Sequence, residues 1–161
     1  MIVVSDATPI ISLAKIGMLD ILSKFYNEVV LPEAVFDEVC SNPVFTDEAE
    51  SVKNSEFIRV EAVSNEQSVK ILRAAGLDLG ESEAIVLADS LSDSLLLMDE
   101  RKGRQIAQSM GIRIIGTLGI LLHAKKLGLI DKIKPLLDML IDANIRISEN
   151  LYNSIIKQAD E

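Results

Sequence analysis

The chain has 161 residues, 48% hydrophobic but only 4% aromatic and without Trp, so its core must be built from Leu, Ile, Val and Ala. A formal net charge of −9 repels phosphate chains at long range and disfavours a sequence-independent DNA coat protein. No apolar run nears the roughly 18–20 residues of a membrane span, no signal peptide is expected at the start, and the single Cys40 rules out an internal disulfide and fits a cytoplasmic setting.

In chain order, Ile2–Ser5 is a short run of β-formers and reads as a buried strand. Residues 8–24 carry apolar positions at helical spacing, interrupted at Gly17. Glu28–Leu31 is a second strand, and Pro32 opens a helix whose buried stripe includes Val35 and Val39. Asn42-Pro43 stops it. A weaker helix covers 46–53, and Phe57–Val60 alternates like a strand. Residues 65–75 are helical to Gly76, and a helix over 81–91 follows Gly80. Leu95–Met98 is a continuous apolar run, as in a strand covered on both faces. Then come a helix over 101–109, a strand at Ile112–Ile115, helices over 117–127 and 131–142, a short edge strand at Ile145–Ile147 and a closing helix over 148–158. Alternating strands and helices, with no repeat or linker, predict a single α/β domain over residues 1–161 with a mostly parallel sheet.

Acidity is uneven: residues 1–80 hold 6 Lys+Arg against 13 Asp+Glu. Asp6 follows "IVVS" and Asp99 follows "LLLM". In a parallel α/β sheet, ligands bind beyond the carboxyl ends of the strands, where a strand-end Asp is otherwise a helix cap. Glu38 borders the buried stripe of its helix. Glu81 begins the helix "GESEAIVLA" and shares the row of Ala84 and Ile85; Glu83, two residues on, points elsewhere if both are helical. Two like charges about 4 Å apart cost roughly 4 kcal/mol at an effective dielectric near 20. A cluster of such acids therefore calls for a cation. All-oxygen donors without Cys or His suit Mg²⁺ or Mn²⁺ rather than zinc, and such an ion serves phosphodiester hydrolysis. Arg101, Lys102 and Arg104 form a basic cluster that either meets a nucleic acid or is a solvated helix face. Arg104 can also pair with Glu100 at i,i+4.

The blocks "VVSDATPIISLAKIG", "VLPEAVFDEV", "LDLGESEAIVLA" and "LLLMDERKGRQIA", followed by "IIGTLGILLHAKKLGLIDKIKPLLDML", resemble PIN-domain proteins. The chain is most similar to a prokaryotic PIN-like subgroup, long listed as a domain of unknown function and related to VapC-type toxins. The resemblance implies a three-layer α/β sandwich with a five-stranded sheet of order 3-2-1-4-5. It also implies a divalent-metal-dependent endoribonuclease, often the toxin of a toxin–antitoxin pair, with RNA as substrate, an antitoxin protein as partner and a homodimer as assembly. Carried onto this sequence, Asp6, Glu38, Glu81 and Asp99 are the catalytic metal ligands, with Glu83 the competing third-block acid. Thr8 stands where the family often has Ser or Thr. Arg101 and Arg104 would meet the RNA. Two departures stand out: the third block has Glu where VapC-type proteins carry Asp, and Leu97-Met98-Asp99-Glu100 replaces their usual Thr-x-Asp. The competing function is a PIN-like interaction module that binds an antitoxin or regulator without cutting. A phosphotransfer domain of the dehalogenase type is disfavoured, because Thr8 stands where its second Asp is needed.

Overall fold

The computed structural model, which describes residues 1–161, is organised on one five-stranded sheet of order β3-β2-β1-β4-β5. The strands are β1 (Ile2–Ser5), β2 (Glu28–Pro32), β3 (Ile58–Glu61), β4 (Ser94–Leu97) and β5 (Ile114–Ile115). Every pairing is parallel. The first strand is thus the central one, flanked by β2 and β4, with Val3 level with Val29 and Leu95, and Val4 level with Val30 and Leu96.

The period of two along a strand divides the core. Val3, Val29, Leu31 and Leu97 face one apolar cluster; Val4, Val30, Leu96 and Met98 face the other. The first layer is built on α1 (Ala7–Lys15), α2 (Leu22–Phe25), α3 (Glu33–Cys40), α4 (Thr46–Lys53) and the three C-terminal helices, α8 (Thr117–Lys126), α9 (Lys134–Asp142) and α10 (Glu149–Gln158). The second is built on α5 (Glu66–Ala74), α6 (Leu79–Ser90) and α7 (Arg101–Ser109). Both faces of the sheet are covered, which is why Leu95–Met98 is uninterrupted by polar residues.

Several elements depart from the expected bounds: β3 and β4 are shifted by one residue, and β5 covers only Ile114–Ile115 of the expected Ile112–Ile115. The sixth helix begins at Leu79, not 81, because Asp78 caps it with a reciprocal bond to Glu81. The ninth begins at Lys134, not 131. The edge strand expected at Ile145–Ile147 does not form: the segment has no regular secondary structure and is not part of the sheet. Its alternation has another cause. Ile145 and Ile147 pack against the first apolar cluster while Arg146 stays exposed.

Cys40 is half-buried at the end of α3, and burial pushes its thiol up, away from the reactive thiolate. His123 packs its ring against Phe25 at 4.8 Å between centroids. Neither belongs to a polar constellation. Ser82, on α6, is fully buried and its hydroxyl has no partner. Ser82→Ala should therefore raise the melting temperature, since it removes a desolvated hydroxyl and adds helix propensity, together about 1 kcal/mol. Thermal denaturation followed by circular dichroism checks this; a lower melting point would show that the hydroxyl is satisfied.

Candidate active site at the carboxyl edge of the sheet

β1 and β4 run side by side and leave their acids on the same edge. Ser5 is level with Leu97, and the Asp6 N–H donates to the Leu97 carbonyl at 3.0 Å. Asp6 therefore stands one residue past β1 and Asp99 two residues past β4, on neighbouring strands.

Asp6 holds the N-cap position of α1, yet its side chain makes no capping hydrogen bond. It is 4% exposed. Burial, with smaller pushes from the charges of Glu81, Asp78 and Glu38, raises its carboxyl to about 7 against the pull of the Ala7 N–H. The carboxyl is therefore buried among other acids, and the capping role suggested by its position is not filled.

α3 and α6 bring in the other acids. Glu38 lies at the exposed rim of α3, where its carboxyl is raised by lost hydration and then by the charges of Asp78 and Glu81. It comes close to the start of α6, where a Cβ at Gly80 would stand 3.1 Å from Glu38 Oε2. Glu81 is likewise raised, first by burial; the Asp78 N–H that donates to it works the other way, and the charges of Asp78 and Glu100 add to the rise. Asp78 is the acid that the sequence reading missed. The D-x-x-E spacing of a capping box pointed to it. Its Oδ1 accepts the Glu81 N–H at 2.7 Å, and Glu81 Oε2 accepts the Asp78 N–H at 2.9 Å.

Glu83 goes elsewhere. Its Oε2 accepts the Ala34 N–H at 3.0 Å, anchoring the first turn of α3, so it joins α6 to α3 and leaves Glu81 in the acid cluster. Asp99 is exposed and turned toward α8, where its Oδ1 accepts the Thr117 N–H at 2.7 Å and its Oδ2 the Thr117 hydroxyl at 2.6 Å.

The basic residues rim this edge on α7. Arg101 and Lys102 are exposed, whereas Arg104 is half-buried. The expected Arg104–Glu100 pair is absent. Arg104 Nη1 donates instead to the Met98 carbonyl at 2.8 Å, and Glu100 caps α7 through the N–H groups of Lys102 and Gly103. Thr8 is exposed on the first turn of α1 and caps nothing.

As the side chains stand, no three acids, histidines or cysteines lie close enough together to hold one metal ion. The donor chemistry nevertheless fits a hard divalent cation. Asp6, Glu38, Asp78 and Glu81 offer only oxygens, and the three among them whose carboxyls are raised lack a nearby counter-charge. A bound cation would reverse each of those upward shifts.

Comparison with known proteins gives one match: a family model described as a PIN domain covers residues 2–161. No curated protein and no solved structure matches the chain.

Proposed function

Because this chain belongs to the PIN-domain family, whose members are generally nucleases, we propose that it is a divalent-metal-dependent endoribonuclease and the toxin of a cytoplasmic toxin–antitoxin pair. The observation that carries this reading is Asp6. A buried, uncapped carboxyl pushed up to about 7 beside Glu81, Asp78 and Glu38 is costly to keep without a cation at the sheet edge.

Asp6, Glu38, Glu81 and Asp99 would hold Mg²⁺ or Mn²⁺. Bound there, the ion supplies Lewis acidity that activates water and neutralises charge gathering at the phosphoryl oxygens. The chain's own groups do the rest. Arg101, at the first position of α7, lies at the rim where an approaching RNA backbone would be met. Arg104 has one donor on the Met98 carbonyl and keeps others for a phosphate. Thr8, in the first turn of α1, offers a hydroxyl to the same strand. Glu83, engaged by α3, has a scaffolding role in this scheme.

The C-terminal helices favour a homodimer. Residues 117–161 carry 6 Lys+Arg and 6 Asp+Glu, so the whole net charge of −9 resides in residues 1–116. That neutral segment also exposes Leu127, Leu129, Met139, Ile141 and Leu151. Two strongly acidic copies meet with least repulsion there.

A second reading, a non-cutting module that binds an antitoxin, is favoured by one observation: the acids do not converge on a single point. One assay separates the two. With single-stranded RNA and Mn²⁺ the chain should cut internally, excess EDTA should stop cutting, and fresh Mn²⁺ should restore it. Cleavage that continues undiminished in EDTA overturns the metal dependence, and no cleavage under any divalent ion sinks the nuclease reading.

A further inference from the structure

Of the four proposed ligands, Asp99 alone has hydrogen-bond donors on both oxygens, and both come from Thr117. The backbone N–H of Thr117 reaches Oδ1 at 2.7 Å and its hydroxyl reaches Oδ2 at 2.6 Å. Thr117 itself is 4% exposed, so solvent does not compete for its hydroxyl. A carboxylate offers about four lone-pair sites. Thr117 takes two from one side, and the exposed side of Asp99 keeps the others.

The surroundings are built around this grip. The residue before Thr117 is Gly116, and a Cβ there would stand 2.9 Å from Asp99 Oδ1 and 3.1 Å from Arg104 Nη1. Any side chain at 116 would have to displace the carboxylate, the guanidinium or both. Arg104 meanwhile holds the carbonyl of Met98 at 2.8 Å. The peptide entering Asp99 and the carboxylate leaving it are thus fixed by separate donors. The N-cap of α8 is Gly116, which has no side chain to meet the first N–H groups of the helix. The acid that meets the Thr117 N–H is instead Asp99, two residues past β4 and 18 residues away in sequence.

We propose that Thr117 is a positioning residue for the proposed nuclease site: its paired hydrogen bonds set the direction of the Asp99 carboxylate before a divalent cation arrives. The inference rests on the nuclease reading. Its physical content is preorganisation. An exposed Asp samples several rotamers, and a cation must select one, whereas a carboxylate already fixed needs no such ordering.

Calorimetric titration of Mn²⁺ into the unaltered chain, Thr117→Val, Thr117→Ser and Asp99→Asn, with a thermal melt of each, tests it. Thr117→Val keeps the branched shape and the backbone donor but loses the hydroxyl. It should weaken Mn²⁺ binding about tenfold or more and raise by a similar factor the Mn²⁺ concentration needed for half-maximal RNA cleavage. Thr117→Ser should bind like the parent, and Asp99→Asn should bind at least as weakly as the valine variant. If Thr117→Val does not fold, Gly116→Ala, which leaves Thr117 in place and crowds Asp99 Oδ1, should show the same weakening. A folded valine variant, or failing that a folded Gly116→Ala variant, with parental Mn²⁺ affinity overturns the inference and leaves Thr117 a helix anchor only. An unaltered chain that gives no Mn²⁺ heat overturns the nuclease reading and this inference together.

Discussion

Asp6→Asn should leave the chain folded and stop RNA cleavage, lowering its rate on the order of a thousandfold. Loss of a ligand removes several kcal/mol of transition-state stabilisation, and each 1.36 kcal/mol is about tenfold in rate. The same substitution has a second, opposite signature in stability. Asp6 titrates at about 7 in the fold, against its ordinary 3.8. Between these values the native chain holds a proton that the unfolded chain releases. Metal-free stability from this group is complete below about pH 4, drains as the pH climbs, and is gone above about pH 7. The gap corresponds to about 4 kcal/mol. Asn carries no charge at any of these pH values. The variant should therefore melt like the parent near pH 4 and well above it at pH 8, both in EDTA. Adding Mn²⁺ should raise the parent's melting temperature and leave the variant's unchanged. An active Asp6→Asn chain would remove Asp6 from the chemistry.

Glu81 gives the second large effect, and two substitutions separate its two tasks. Its carboxylate closes the capping box on α6 by accepting the Asp78 N–H. It also lends charge to the cluster around Asp6. Glu81→Gln keeps an acceptor for that N–H and loses the charge. It should melt close to the parent while Mn²⁺-dependent cleavage falls on the order of a hundredfold. Glu81→Ala loses both and should in addition be destabilised by about 1 kcal/mol, the usual cost of a lost cap. Paired melts and cleavage rates read this directly. Parental cleavage by the Gln variant would confine Glu81 to the cap.

Much of this architecture was legible in the residues. The apolar run Leu95–Met98 announced a strand covered on both sides, and the two strand-end acids, Asp6 and Asp99, were expected on one sheet edge, where the parallel neighbours β1 and β4 leave them. Strand order came from the resemblance, since periodicity says nothing about which strands are neighbours. The misread edge strand has a plain cause. Alternating Ile145-Arg146-Ile147 is satisfied by seating two isoleucines on the core, and no strand lies beside them to pair. The choice between Glu81 and Glu83 depended on where α6 starts, and that in turn on Asp78, whose cap moves the start to Leu79. Asp78 was readable as the first letter of a capping box. Thr117 was not, because its partner is Asp99, 18 residues back, and no local pattern records such a contact.

The order in which the ribosome delivers these parts has a consequence of its own. β1 emerges first but is the middle of the sheet, and its second neighbour, β4, ends only at Leu97. Such separations slow folding and leave strand edges unpaired meanwhile. The grip on Asp99 waits longer still, for residue 117. A translation product halted before that point contains all four acids of the proposed site but lacks the Thr117 donors that hold Asp99, so under the proposed reading an unfinished chain would carry its ligands with the last of them unfixed.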